Sequence, residues 1–372
     1  MIVDSLDILR RRRSAKWRAY PDDVLPLFVA EMDVPLAPAV ADVLRAAVEA
    51  SDTGYSAAGP ELGAAVAGFA GRRWGWEVDP GRVTPVADVG VGVVELLRVL
   101  TRAGDAVVIS PPVYPPFFHW AAEAGAQLRE VPLTKDLRLD LAGLESAFAA
   151  RPAVYVLCNP HNPVGRVHSR DELAALVTLA SRYGVTIVSD EIHGPLVLPG
   201  ATFTPFLSLP GAAEVGVSLV SASKAFNLAG LKCAAVVEGN RPLTASFPPD
   251  VRWRTGHFGL LATVAAFTHG DEWLDGLLGF LDERRTHLDE LLHTQMPWIS
   301  WRPPQATYLA WLDCRAGDAD GEPAELFLER GRVALEPGLK FGAAGVGHVR
   351  LNFGTSGAIL EEAVTRMARA VR

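Results

Sequence analysis

Cysteine is scarce, with three in 372 residues. Cys158, Cys233 and Cys314 stand far apart and form no C-x-x-C pair, which argues against a zinc ribbon or a disulfide framework. Two of them begin or end apolar runs, so buried free thiols are expected. No apolar stretch reaches the roughly eighteen residues of a membrane-spanning helix. The first residues lack the basic-then-apolar order of a secretory signal, so a cytoplasmic protein is the expectation. Excess positive charge is also missing. A net charge of −8 argues against general affinity for nucleic acid or anionic membrane. The run Arg10–Arg13 stands against that balance, and a solvated segment is its plainer reading. Internal repeats, low-complexity tracts and long linkers are absent. The 27 prolines are dispersed, marking turns.

What is present is a 49% hydrophobic chain, long enough for two domains and a large core. Short β-branched runs at 106–110, 153–160, 185–191, 217–224 and 233–239 read as buried strands. Between them, residues 169–184 carry a serine N-cap, apolar residues at helical spacing and a closing glycine. Residues 91–104 show the same spacing. This alternation predicts a mainly parallel α/β sheet. Beyond about residue 270 the texture changes to one long amphipathic helix over 273–295. Shorter candidates follow at 307–314 and 322–331. A large α/β domain over 46–270 is expected, with a smaller α+β domain formed by 1–45 together with 271–372.

Ligands of open α/β sheets bind at the carboxyl ends of the strands. There the sequence sets Asn162, Asp190 with Glu191 and His193, and Ser221, Ser223 and Lys224. A lysine ending a buried run is costly unless its pKa falls or it is covalently modified. An asparagine, a carboxylate and a lysine on one rim suit pyridoxal 5'-phosphate (PLP). Its aldehyde needs a lysine, its ring nitrogen a carboxylate, and its phosphate hydroxyls, a cation and a helix N-terminus.

The segments SASKAFNLAGLK, SDEIH, NPHNPVG, PPVYPPF and HVRLNFG resemble the fold-type I, class I/II aminotransferase superfamily. PLFVAEMDVP, TGYSAAG, DEWLDGLLGFL and QATYLAWLD resemble its cystathionine β-lyase-like (PatB/MalY-type) C–S lyase branch. The likeness runs through nearly the whole chain, in the expected order. It implies the aspartate aminotransferase-like fold, PLP as cofactor and an L-amino acid as substrate. By that resemblance Lys224 is the Schiff-base lysine and the base at Cα. Asp190 pairs with the ring nitrogen, Asn162 donates to the phenolic oxygen and Tyr114 stacks on the ring. His193 is assigned to the phenolic edge, with a plain buried histidine as the other reading. Ser221, Ser223, Lys232 and the backbone amides of Val89 and Gly90 are assigned to the phosphate, and Asp88 to capping the helix. Relatives often carry arginine at the position of Lys232. Arg350 corresponds to the clamp for the substrate α-carboxylate. Tyr55 matches a tyrosine that relatives insert from the partner subunit, which implies a homodimer.

These residues serve β-elimination and amino transfer equally. The resemblance alone favours a C–S β-lyase acting on cystathionine or a cysteine S-conjugate, with an aminotransferase as the alternative. Tyr55 and Tyr114 are both candidate acids for the leaving thiolate. Ser221–Lys224 is formally S-x-x-K, but the accompanying S-D-N and K-T-G elements of penicillin-recognising hydrolases do not occur. A regulatory role through protein contacts leaves no readable trace. A DNA-binding version would need more chain than residues 1–30.

Overall fold

The computed structural model describes the chain except residues 2, 57–58, 318–320 and 372. In chain order the strands are β1 (Leu25–Pro26), β2 (Val83–Val86), β3 (Ala106–Ile109), β4 (Gln127–Glu130), β5 (Val154–Cys158), β6 (Thr186–Asp190) and β7 (Gly216–Val220). They continue with β8 (Ala234–Glu238), β9 (Ser300–Trp301), β10 (Leu309–Asp313), β11 (Val333–Ala334), β12 (Glu336–Pro337) and β13 (His348–Asn352).

Strands β2 to β8 make a seven-stranded sheet in the order β2-β8-β7-β6-β5-β3-β4. Neighbours from β4 across to β7 are parallel, whereas β8 is antiparallel to both β7 and β2. The mainly parallel sheet is as expected. The reversal at β8 was invisible because an apolar run carries no direction. Strands β5, β6 and β7 are buried at every residue, because helices cover both faces. On one face, Val93, Leu96 and Leu97 pack against Val156, Val188 and Leu219. On the other, Leu173, Leu176 and Val177 pack against Tyr155, Leu157 and Ile187. Alternation along each strand sends successive residues to opposite faces.

Local sequence sets the helix bounds. Ser169 Oγ accepts from Glu172 N at 3.2 Å while the Glu172 carboxylate accepts from Ser169 N at 2.9 Å. This capping box starts the helix Arg170–Tyr183, and Gly184 at φ 72° ends it. The helix expected from residue 91 starts at Val89 instead. Asp88 caps it by accepting from Val91 N at 2.8 Å.

A four-stranded antiparallel sheet, β12-β13-β10-β9, lies in the C-terminal part, after the helix Asp271–Gln295. β1 pairs with β11, so N-terminal residues meet this part. The expected boundary at residue 46 falls inside one continuous helix, Pro38–Glu49, which packs on the helix His257–His269.

The basic N-terminal run makes internal contacts: Arg12 reaches the Asp4 carboxylate at 3.2 Å and the Asp33 carbonyl at 3.3 Å. Deeper in, Lys16 Nζ meets Asp33 Oδ2 at 2.8 Å with both side chains 1% exposed. Trp17 Nε1 donates to the other Asp33 oxygen at 3.1 Å. Removing one member of such a pair strands a buried charge, at a cost of about 3–5 kcal/mol. Asp33→Ala should therefore lower the urea midpoint strongly. The double variant Lys16→Met/Asp33→Ala should recover part of the loss, and an equal loss in both would refute this account.

Candidate active site

A cavity of about 440 Å³ opens at the carboxyl ends of β5, β6 and β7, against the start of the helix Val89–Leu100. Its size suits a small ligand. Asp190, the last residue of β6, lines it, and Ile192 N donates to Asp190 Oδ1 at 3.1 Å. Burial pushes the Asp190 pKa up to about 7, opposed by that amide and by Lys224. Lys224, just past β7, shares the wall, and its Nζ donates to the Ala30 carbonyl at 3.1 Å. Burial, then the nearby Arg350 charge, lowers its pKa to about 8. The lysine that ends an apolar run is thus within reach of its neutral, nucleophilic form.

Asn162 and Arg350 meet in the same cavity. Arg350 Nη1 donates to Asn162 Oδ1 at 3.1 Å and Nη2 to the Phe28 carbonyl at 2.9 Å. This leaves the Asn162 amide nitrogen to donate elsewhere. Arg350 Nε is buried without a partner. The guanidinium lies 4.9 Å from the Phe341 ring centroid and has no salt bridge among the described residues. His193 also lines the cavity, and its buried Nδ1 has no partner. Burial, then Lys224 and Arg350, lowers its pKa to about 3, so the ring is neutral.

At the far end the first residues of the helix, Val89 and Gly90, face the cavity beside Ser223 and Lys232. Lys232 Nζ meets Asp88 Oδ2 at 3.0 Å, so Asp88 both caps the helix and holds this cation. Ser221 is not on the wall. Its hydroxyl donates to the Cys233 carbonyl at 2.7 Å and accepts from Ser223 N at 3.1 Å. Tyr114 lines the cavity, edge-on to Trp120 at 6.5 Å. Tyr55 does not. It is 85% exposed and meets Trp253 edge-on at 6.1 Å.

The donor set fits PLP. One wall carries an amine of lowered pKa, a buried carboxylate, an amide nitrogen and an orphaned imidazole nitrogen, and the far end carries a helix N-terminus with a cation. Among the described residues no group of three or more His, Cys, Asp or Glu side chains could hold a metal. None of their helices is long and apolar enough to cross a membrane.

Several wall residues escaped the sequence reading. Phe28, Val29 and Ala30 arrive from a distant segment, and Glu336 comes from the two-residue strand β12. Glu336 reaches the wall only because β12 pairs with β13, where it lies opposite Arg350. No spacing in the sequence announces that. Behind Asn162, His161 and His168 bond the Pro112 and Cys158 carbonyls at 2.9 and 3.1 Å. Burial lowers their pKa values to about 3 and 4, so they shape the turn as neutral rings.

Sheet order and site geometry together define the fold-type I, aspartate aminotransferase-like architecture. The chain belongs to the aminotransferase class I and II family, which matches residues 23–367. A Mycobacterium leprae relative, provisionally named cystathionine beta-lyase, is 47% identical over 99% of this chain and 97% of its own. Cystathionine beta-lyase PatB of Bacillus subtilis is 37% identical over 94% of this chain and 93% of its own. A crystal structure from Corynebacterium diphtheriae, provisionally described as a PLP-dependent beta-cystathionase, superposes with a TM-score of 0.95 at 36% identity. It covers 100% of this chain and 99% of its own.

The depressed Lys224 pKa gives a direct test on the cofactor-free protein. Competitive acylation with trace acetic anhydride should half-titrate Lys224 near pH 8, against about 10.4 for an ordinary lysine. The cation dominates below that pH and the reactive amine above it. Titration at the ordinary value would contradict the desolvation argument.

Proposed function

We propose that the chain is a PLP-dependent C–S β-lyase that converts L-cystathionine or another L-cysteine S-conjugate to a thiol, pyruvate and ammonia. The carrying observation is a lysine of lowered pKa sharing one cavity with a buried carboxylate and a guanidinium that has no carboxylate partner among the described residues. Relatives named cystathionine beta-lyase favour elimination over amino transfer. When bound, PLP supplies an electron sink for the pair left at Cα.

The chain's own residues do the rest. Asp190 would hold the ring nitrogen, and Asn162 Nδ2 and His193 would hydrogen-bond the phenolic edge. Ser223, Lys232 and the amides of Val89 and Gly90 would bind the phosphate, with Ser221 fixing Ser223. Tyr114 would pack on the ring. Arg350, held by Asn162 and the Phe28 carbonyl, grips the substrate α-carboxylate through the N–H groups those two contacts leave free. Lys224 Nζ takes the Cα proton, the Cβ–S bond breaks with its electron pair on sulfur, and the thiolate is protonated. Tyr114 supplies that proton. Its hydroxyl pKa is raised by burial, against the opposing Arg350 charge, so the phenol is protonated when sulfur leaves, and the proton that Lys224 took from Cα then returns to the phenolate to complete the transfer. One water then converts the three-carbon fragment to pyruvate and ammonia.

Tyr55 is assigned to the cavity of a second copy, so the working unit is a homodimer. An exposed aromatic pair of Tyr55 and Trp253, outside the chain's own cavity, supports this. The chain is assigned to the cytoplasm, where three buried free thiols persist. We assign a large domain to 46–270 and a smaller one to 1–45 with 271–372, because the seven-stranded sheet lies within the first and the four- and two-stranded sheets within the second, with the helix Pro38–Glu49 spanning the boundary.

The test is PLP-loaded protein with L-cystathionine and no keto acid. Steady release of pyruvate and thiol is expected. A single turnover that halts until a keto acid is added would establish an aminotransferase instead. Lys224→Ala should lose the near-visible absorbance of lysine-linked cofactor and about 10²–10⁴-fold in rate. Retained absorbance would overturn the assignment. Arg350→Ala should cost on the order of a hundredfold in kcat/KM, mainly through KM. A loss confined to kcat would argue against the clamp.

A further inference from the structure

Six charged side chains line the cavity: Asp88, Asp190, Lys224, Lys232, Glu336 and Arg350. Five have a role in the reading above, on which this inference rests. Asp88 is bonded to Lys232, Asp190 and Lys224 serve the cofactor, and Arg350 awaits a carboxylate. Glu336 alone is left over. It stands directly across from Arg350 in the β12–β13 register, and opposed residues of antiparallel strands project to the same face. Its charge reaches both Arg350 and Tyr114, biasing the ionisation of each. Its side chain is 15% exposed and its partner, Lys340 at 2.8 Å, is 59% exposed and off the cavity wall.

A carboxylate offers about four acceptor positions, so one solvent-side lysine does not exhaust it. Exposed ion pairs of that kind are weak, leaving the cavity-facing side open to a second cation. The α-amino nitrogen of the substrate is committed to the cofactor, so that cation must come from further along the substrate side chain.

We propose that Glu336 determines specificity by accepting a distal ammonium group, so that the preferred substrates are L-cysteine thioethers whose leaving thiol carries a positive charge. Arg350 and Glu336 then read the two ends of one molecule, a carboxylate and an ammonium, from neighbouring strands.

The test compares binding of L-lysine and L-norleucine to the PLP-loaded protein by titration of the cofactor absorbance. The two ligands share one carbon skeleton and differ by an ammonium in place of a hydrogen on the terminal carbon, and neither carries a β leaving group. The wild type should prefer L-lysine by about tenfold, the size of one partly desolvated charge-assisted hydrogen bond. Glu336→Gln, nearly isosteric, should bring the ratio of dissociation constants close to one, and Glu336→Lys should invert it. Both variants should keep the absorbance of the bound cofactor, which monitors folding. Equal binding of the two ligands by the wild type, or an undiminished preference in Glu336→Gln, would overturn the inference. Because neither ligand can eliminate, the ratio decides this point even if L-cystathionine yields no pyruvate, which would sink the lyase reading alone.

Discussion

Five successive carbonyls, those of residues 28 to 32, have no strand to pair with, and the site depends on how they are satisfied. Each accepts from a side chain that arrives from far away in sequence. Arg350 takes Phe28, Asn352 takes Val29, Lys224 and Tyr308 take Ala30, Lys16 and Asn352 take Glu31, and Asn227 takes Met32. The strap is pinned at both ends, by Leu27 N to the Ala334 carbonyl and by Asp33 N to the Gly354 carbonyl. A buried carbonyl without a partner costs about as much as a lost hydrogen bond. The donors are therefore obligatory, and they fix the strap as one wall of the cavity. Two of them, Lys224 and Arg350, are also the groups assigned to the chemistry. Their charged ends are held in position before any ligand arrives.

Desolvation then sets the chemistry of those ends. The same buried cavity drives the Lys224 pKa down and the Asp190 pKa up, to about 8 and about 7. Each shift disfavours the charged form, and each is relieved by a partner of opposite charge. A ring cation beside Asp190 would restore its carboxylate, and a covalent bond at Lys224 Nζ would remove the cost of its charge. The cavity is in this sense complementary to what it would bind. Glu191, next to Asp190, shows the contrast. Its Oε1 accepts from Ser189 Oγ at 2.9 Å and from Phe206 N at 2.7 Å, away from the cavity.

Much of this was legible beforehand. The buried strands, the capped helix after Ser169 and the polar residues at the strand ends follow from periodicity, cap chemistry and the rule for open sheets. Resemblance supplied the roles of Lys224, Asp190, Asn162 and Arg350, and the fold brings all four to one cavity. Ser221 was assigned one step too directly, since hydroxyl type and spacing do not reveal that its proton goes to the Cys233 carbonyl. Tyr55 could not be located at all from local pattern, because a loop tyrosine carries no signal of what it faces.

What the sequence determined by itself is what short-range forces govern: which runs are apolar on both faces, where helices start and stop, and which reactive groups end a strand. Tertiary structure decided what depends on contacts across hundreds of residues. The direction of β8, the strap over Lys224 and the meeting of Glu336 with Arg350 are all of this kind. The reason is physical. A pKa, a hydrogen-bond partner and a cavity wall are properties of the space around a side chain, and that space is filled by residues with no local relation to it.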